Sequence, residues 1–187
     1  MAILSIRIIG DPVLRTTAEE VTDFGPELAK LVFDMAETMH DVGGAGLAAP
    51  QIGVNKRIFT YFVDGKEGHV INPVIVASDD FAPDEAEGCL SVPGLGFRVR
   101  RHRWVRVSGV DYDGNCVDVE ATGMLARCFQ HETDHLDGKL YVDRLEGDDR
   151  KSALRAIRMA NYHDVTAQTV AKRSLTIGSA FGAGIAK

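Results

Sequence analysis

Between residues 26 and 42 (PELAKLVFDMAETMHDV) the apolar positions Leu28, Leu31, Val32, Met35 and Met39 recur every three or four residues. That spacing lays them along one face of an α-helix, and Pro26 suits its first turn. The period then changes. RIFTYFV (57–63) and HVINPVIVA (69–77) are rich in β-branched and aromatic residues and read as strands. RWVRVSGVDY (103–112) alternates polar and apolar residues, Asp113-Gly114 is a hairpin turn, and NCVDVEA (115–121) is the partner strand. Helical spacing returns over 123–137 and again over 148–172, where Leu154, Ile157, Asn161 or Tyr162, and Val165 form the inner row. Gly10-Asp11-Pro12 marks a turn after a short apolar segment, and YVDRL (141–145) reads as short and extended. Three stretches follow neither period: GGAGLAAPQIG (43–53), the acidic loop SDDFAPDEAEG (78–88), and the Gly/Pro-punctuated CLSVPGLGF (89–97). Strands first, then a central and a terminal helix, make the expected class α+β.

The chain has 187 residues, enough for one domain with a proper core, and no repeat or linker divides it. With 45% hydrophobic and 26% charged residues it has an ordinary globular composition. A net charge of −6 argues against nucleic-acid binding by general charge attraction, and no sequence-specific nucleic-acid partner is expected. Three cysteines are an odd count without a disulfide framework, which favours a reducing compartment and leaves thiols available as ligands. The N-terminal apolar run is too short for a signal peptide and no stretch is long enough to cross a membrane, so a cytoplasmic location is the default expectation.

The sharpest chemistry lies in the helix at 123–137, which carries His131-Glu132-Thr133-Asp134-His135. Residues four apart share a helix face, so two imidazoles can hold one metal ion while Glu132 reaches a bound water. The competing reading is two histidines on a solvated face with an unrelated glutamate between them. A hydrolytic site of this kind needs a third protein ligand. A metzincin would place a histidine at the position of Tyr141, so that completion fails. A thermolysin-like completion needs a glutamate on a further helix; Glu146 is too near in sequence and no later glutamate exists. Cys116 and Cys128 read as structural residues. Cys89, beside Gly88 and after an acidic loop, is modestly favoured, because Gly88 lets the backbone turn closely and a thiolate there could face the helix across a cleft.

Three blocks, GAGLAAPQ (44–51), EGCLS (87–91) and QHETDH (130–135), resemble in order and spacing the three signatures of the peptide deformylases. The resemblance covers roughly residues 4–165. It implies a single catalytic domain over 1–173, antiparallel strands around a central metal-binding helix flanked by an N-terminal and a long C-terminal helix, and a Gly-rich tail (174–187) expected to be mobile. It implies removal of the formyl group from N-formylmethionine at the start of newly made bacterial polypeptides, by attack of a metal-bound water. The implied ligands are Cys89, His131 and His135. Fe(II) is the implied native ion, with Zn, Ni or Co able to occupy the site; S/N/N ligation by itself suits zinc and iron alike. Glu132 is the implied general base and then acid, and the side-chain amide of Gln51 and the backbone N–H of Leu90 are the implied oxyanion donors.

The implied substrate-binding residues are Gly44, Ala45, Gly46, Glu87, Gly88, Leu125 and Cys128, with Gly44 and Gly46 admitting a peptide backbone closely. For the pocket residues an ordinary core role is an equal alternative. Arg127 and Gly96 depart from residues common in the family, an aliphatic and an arginine respectively, and bear on peptide-backbone contacts rather than on the metal site. The partners implied are formylated nascent chains and, through a terminal segment with six basic and three acidic residues over 148–173, a transient ribosome contact. Two other functions compete: a zincin-type metallopeptidase and a non-catalytic, metal-stabilised binding module.

Overall fold

The computed structural model of the chain describes residues 2–160. Its elements are helix α1 (Pro26–Asp41), strands β1 (Gly46–Ala48), β2 (Ile58–Val63), β3 (Lys66–Ala77), β4 (Glu85–Cys89), β5 (Val92–Val99), β6 (Trp104–Val110) and β7 (Cys116–Thr122), and helices α2 (Gly123–Leu136) and α3 (Gly147–Met159). Short 3-10 helices cover Pro12–Arg15, Ala49–Ile52 and Tyr141–Arg144. The α+β class read from the sequence is the observed one.

β1, β2, β3, β6 and β7 form one antiparallel sheet in that order, and β4 and β5 form a separate hairpin. Period-two alternation on β2 explains the layering. Phe59, Tyr61 and Val63 face one side and pack with Leu125, Ala126, Cys128 and Phe129 of α2. Ile58 faces the other side and joins Leu28, Val32, Met35 and Met39 of α1. The sheet is therefore covered by a helix on each face, with buried apolar residues in both layers. A third cluster closes the far end: Cys89, Val92 and Val99 of the hairpin pack on Leu140, Tyr141, Val142, Leu145 and Ala153.

Sequence periodicity missed elements whose apolar pattern is broken. Residues 43–53 contain β1 and a 3-10 helix, because Gly46, Leu47 and Ala48 pair with Tyr61, Thr60 and Phe59 rather than showing a period of their own. The end of the acidic loop with Cys89 is β4, and CLSVPGLGF from Val92 onward is β5; Gly88 pairs with Gly96, and a register shift follows at Cys89. YVDRL is a 3-10 helix instead of an extended segment, stabilised where Asp143 accepts from the Leu140 amide at 2.8 Å. In α3, Ile157 packs inward as expected, but Ala153 is buried where Leu154 was expected, and Leu154 is 41% exposed. The expected inner residues Asn161 or Tyr162 and Val165, and the tail 174–187, lie outside the described residues. No described helix is long and apolar enough to cross a membrane.

Candidate active site

α2 lies beneath the sheet and is buried along nearly its whole length, from Leu125 to Leu136. A helix carrying Arg, Gln, two His, Glu and Asp is stable there only if those groups find partners, since each would otherwise cost several kcal/mol. The partners fall on two sides.

On one side, the donor atoms of Cys89, His131 and His135 lie within 4.8 Å of one another, all buried. Cys89 Sγ is 3.3 Å from His135 Nε2, and His131 also bonds the thiol. Tetrahedral donors at about 2.0–2.3 Å from an ion stand roughly 3.3–3.8 Å apart, so this cluster has the dimensions of an ion cradle. Burial by itself would strip the proton from His131, but Cys89 and Glu87 outweigh it and hold its pKa well above the ordinary histidine value. Burial, then the charges on His131 and Arg101, push His135 well below.

Glu132 is buried and its Oε2 has no hydrogen-bond partner among the described residues. Burial, with Glu87 and Asp134 adding to it, pushes its pKa up to about 7 against the lowering effect of His131 and Arg101. A carboxylate poised there suits proton transfer near neutral pH. Gly46 makes the room: a Cβ at that position would stand 2.5 Å from Glu132 Oε1. Gln51 is oriented by the Ala48 amide, which donates to Oε1 at 2.8 Å. Its Nε2 therefore faces Ser91 Oγ at 3.3 Å and Cys89 Sγ at 3.7 Å.

The opposite side is a network of ion pairs. Glu87 accepts from Arg101 Nε and Nη2 at 2.8 Å each and from Arg127 Nη1 at 2.8 Å, and meets His131 Nδ1 at 3.1 Å. Burial would raise this carboxyl, but the Arg101 guanidinium overcomes it and holds Glu87 well below the usual carboxylate range. Arg101 continues to Asp134 at 2.6 Å, and Asp134 to Arg144 at 2.5 Å. Burial acts against ionisation of Asp134 as well, and Arg144 and Arg101 reverse it.

The structure thus gathers Cys89, His131, His135, Glu132, Gln51, Gly46 and Leu90 in one place, with Leu90 Cδ1 3.4 Å from where a Gly44 Cβ would be. Ala45 and Leu125 are buried in the adjoining core. Cys128 is buried there too, its thiol donating to the Ala45 carbonyl at 3.4 Å. Burial first, then Glu132 and Glu87, pushes the Cys128 thiol up, so it is a neutral packing group. Cys116 is exposed on β7. The carboxylate of Glu87, counted with the substrate contacts, is fully enclosed by two arginines and His131. Gly88, also counted with the substrate contacts, is buried in β4 opposite Gly96. Sequence reasoning passed over Ser91, Arg101, Asp134 and Arg144. Ser91 and Asp134 sit inside the EGCLS and HETDH blocks, which was a usable signal; nothing local marks Arg101 or Arg144. Tyr141, where a metzincin would place its third histidine, packs its ring 6.3 Å from that of His131.

A helix presenting two imidazoles and a carboxylate to a thiolate on a neighbouring hairpin is the layout of a metal-dependent hydrolase. A family model described as polypeptide deformylase matches residues 3–151. A peptide deformylase of Parafrankia sp. (strain EAN1pec) is 52% identical over 163 residues, covering 87% of this chain and 89% of that protein. One from Acidothermus cellulolyticus is 49% identical over 180 residues, covering 96% and 99%. The crystal structure of a peptide deformylase from Legionella pneumophila superposes with a TM-score of 0.81 at 39% identity, covering 89% of this chain and 99% of that one. The chain belongs to the polypeptide deformylase family. It is a hydrolase that removes the N-formyl group from the formylmethionine of newly made polypeptides, in a metal-dependent family.

Proposed function

We propose that Cys89, His131 and His135 hold the catalytic ion, that Glu132 moves the proton, and that Gln51 and the Leu90 backbone N–H bind the developing oxyanion. The convergence of three buried donor atoms beside a carboxylate with an unpartnered oxygen is the observation that carries this reading. When bound, the divalent ion supplies Lewis acidity, which brings the pKa of a water near neutrality. Thiolate with two imidazoles favours a borderline-soft ion, and Fe(II) is the proposed native one, with Zn, Ni or Co as substitutes.

Each residue then has a defined task. Glu132, its pKa pushed up to about 7 by burial, takes a proton from the attacking water and delivers it to the leaving amine. Gln51 stands with its amide N–H groups toward the thiolate, where negative charge on the formyl oxygen would build. Gly44, Ala45 and Gly46 offer a low-bulk strand edge along which a peptide backbone can lie. Leu125 and Cys128 are the proposed apolar surroundings of the methionine side chain.

An anaerobic assay on formyl-Met-Ala-Ser, with metal analysis of the same sample, tests the reading. Stoichiometric metal with deformylation supports it. In Cys89→Ala, metal binding at micromolar metal should be lost, and tight stoichiometric metal in that variant would reassign the ligand. A ribosome contact would run through the exposed Arg150, Lys151, Arg155 and Arg158 of α3. Reversing these charges should abolish co-sedimentation with ribosomes, and unchanged co-sedimentation would remove that contact.

A further inference from the structure

We propose that Arg127 is a positioning residue for the metal site, acting on His131 through Glu87. This rests on the ligand assignment made above and extends it by one layer. Arg127 and His131 are one turn apart on α2, so both point from the same face. Both reach the same carboxylate on the neighbouring hairpin. Glu87 Oε1 accepts from Arg127 Nη1 and Arg101 Nε, which leaves Oε2 to Arg101 Nη2 and His131 Nδ1. Three donors besides the imidazole fix the carboxylate plane. The oxygen facing His131 then has one orientation, and so does the ring, whose other nitrogen faces Cys89.

Arg127 does more than neutralise Glu87, for Arg101 already does that. Its Nη1 also donates to the Val99 carbonyl at 2.9 Å and its Nη2 to the Pro83 carbonyl at 3.2 Å. These contacts span the β4–β5 hairpin, which carries Cys89, from a helix that carries both histidines. They anchor the guanidinium itself, so its bond to Glu87 Oε1 keeps one geometry. Its remaining pairing, to Glu85 at 3.5 Å, is with an exposed side chain and lies outside this chain of contacts.

The test is metal affinity in the absence of turnover. Metal-free protein is titrated with Co(II) against a competing chelator, and circular dichroism checks the fold of each variant. Arg127→Met, which keeps the volume, should bind Co(II) about 10–100-fold more weakly. Arg127→Lys should recover part of the loss, because it keeps the charge without the fork, and Glu85→Gln should bind like the wild type. In a Glu87→Gln background the Arg127→Met change should cost little more. Wild-type affinity in a folded Arg127→Met variant would overturn the proposal, as would a full additional loss in the Glu87→Gln background. Should Arg127→Met not fold, Arg127→Lys takes its place: weakened affinity supports the proposal and unchanged affinity overturns it. If the wild type itself binds no ion tightly, the ligand assignment fails instead, which separates the two.

Discussion

Glu87 and Glu132 are both buried glutamates beside His131, yet their surroundings make them opposites. Glu87 is enclosed by two arginines and an imidazole and is held as an anion well below the usual carboxylate range, against the effect of burial. Glu132 has an oxygen without a partner among the described residues and is pushed up to about 7 by burial. Burial penalises the charged form in both cases; what differs is whether compensating donors are present. The saturated side fixes geometry, and the unsaturated side is left able to exchange a proton. A half-satisfied network would do neither well.

The largest blow to this contrast should come from Glu132→Gln. Deformylation is expected to fall about 10²–10⁴-fold while metal stoichiometry is retained. A rate near wild type would mean that Glu132 is a bystander. Gln51→Leu should cost about 10²–10³-fold, mainly in kcat, because its donor acts on charge present only in the transition state. A pure KM effect would make Gln51 a substrate-binding group instead. Gly46→Ala sharpens the comparison from the steric side. Its new methyl would collide with the Glu132 carboxylate, and a displacement of about 1 Å there should cost roughly 10²-fold in rate. Metal binding should be unaffected; if rate is also unaffected, Glu132 has more freedom than its enclosure suggests.

The mildest expected effect is on the stability of metal-free protein. A carboxyl whose folded pKa is raised from 4.5 to about 7 contributes stability that is fully present below 4.5 and is lost as pH climbs through about 7. The decline is at most about 1.4 kcal/mol per pH unit. Glu87 and Asp134 act in the opposite sense, since their depressed values add stability above the ordinary carboxylate range that is lost as pH falls below it. Urea titrations of the wild type and Glu132→Gln across pH 4–8 isolate the first effect as their difference. A difference that does not change with pH would contradict the raised value, and loading the ion should reduce it by favouring the ionised form.

How much could be read in advance depended on how local each signal was. α1 and α2 followed from 3.6-residue periodicity, and the β6–β7 hairpin from alternation around Asp113-Gly114. β1, β4 and β5 escaped because glycines interrupt their apolar pattern and only their partner strands show what they are. His131, Glu132 and His135 were legible as one helix face. Cys89 could be ranked above Cys116 and Cys128 but not fixed, because 42 positions separate it from His131 and only folding brings them together. That Gly46 also leaves space for Glu132 was not legible, because the two meet only in the folded chain.

Sequence alone determined the α+β class, the helix that presents two imidazoles and a carboxylate, and the family to which its three blocks point. These are short-range properties, set by residue type and spacing along one element. Tertiary structure decided which thiol lies with the two imidazoles, which of two buried glutamates is a fixed anion, and that Arg127 faces the network behind His131. Each of those depends on groups from several elements meeting in a space closed to water, where a hydrogen bond made or withheld outweighs what the residue would be on its own.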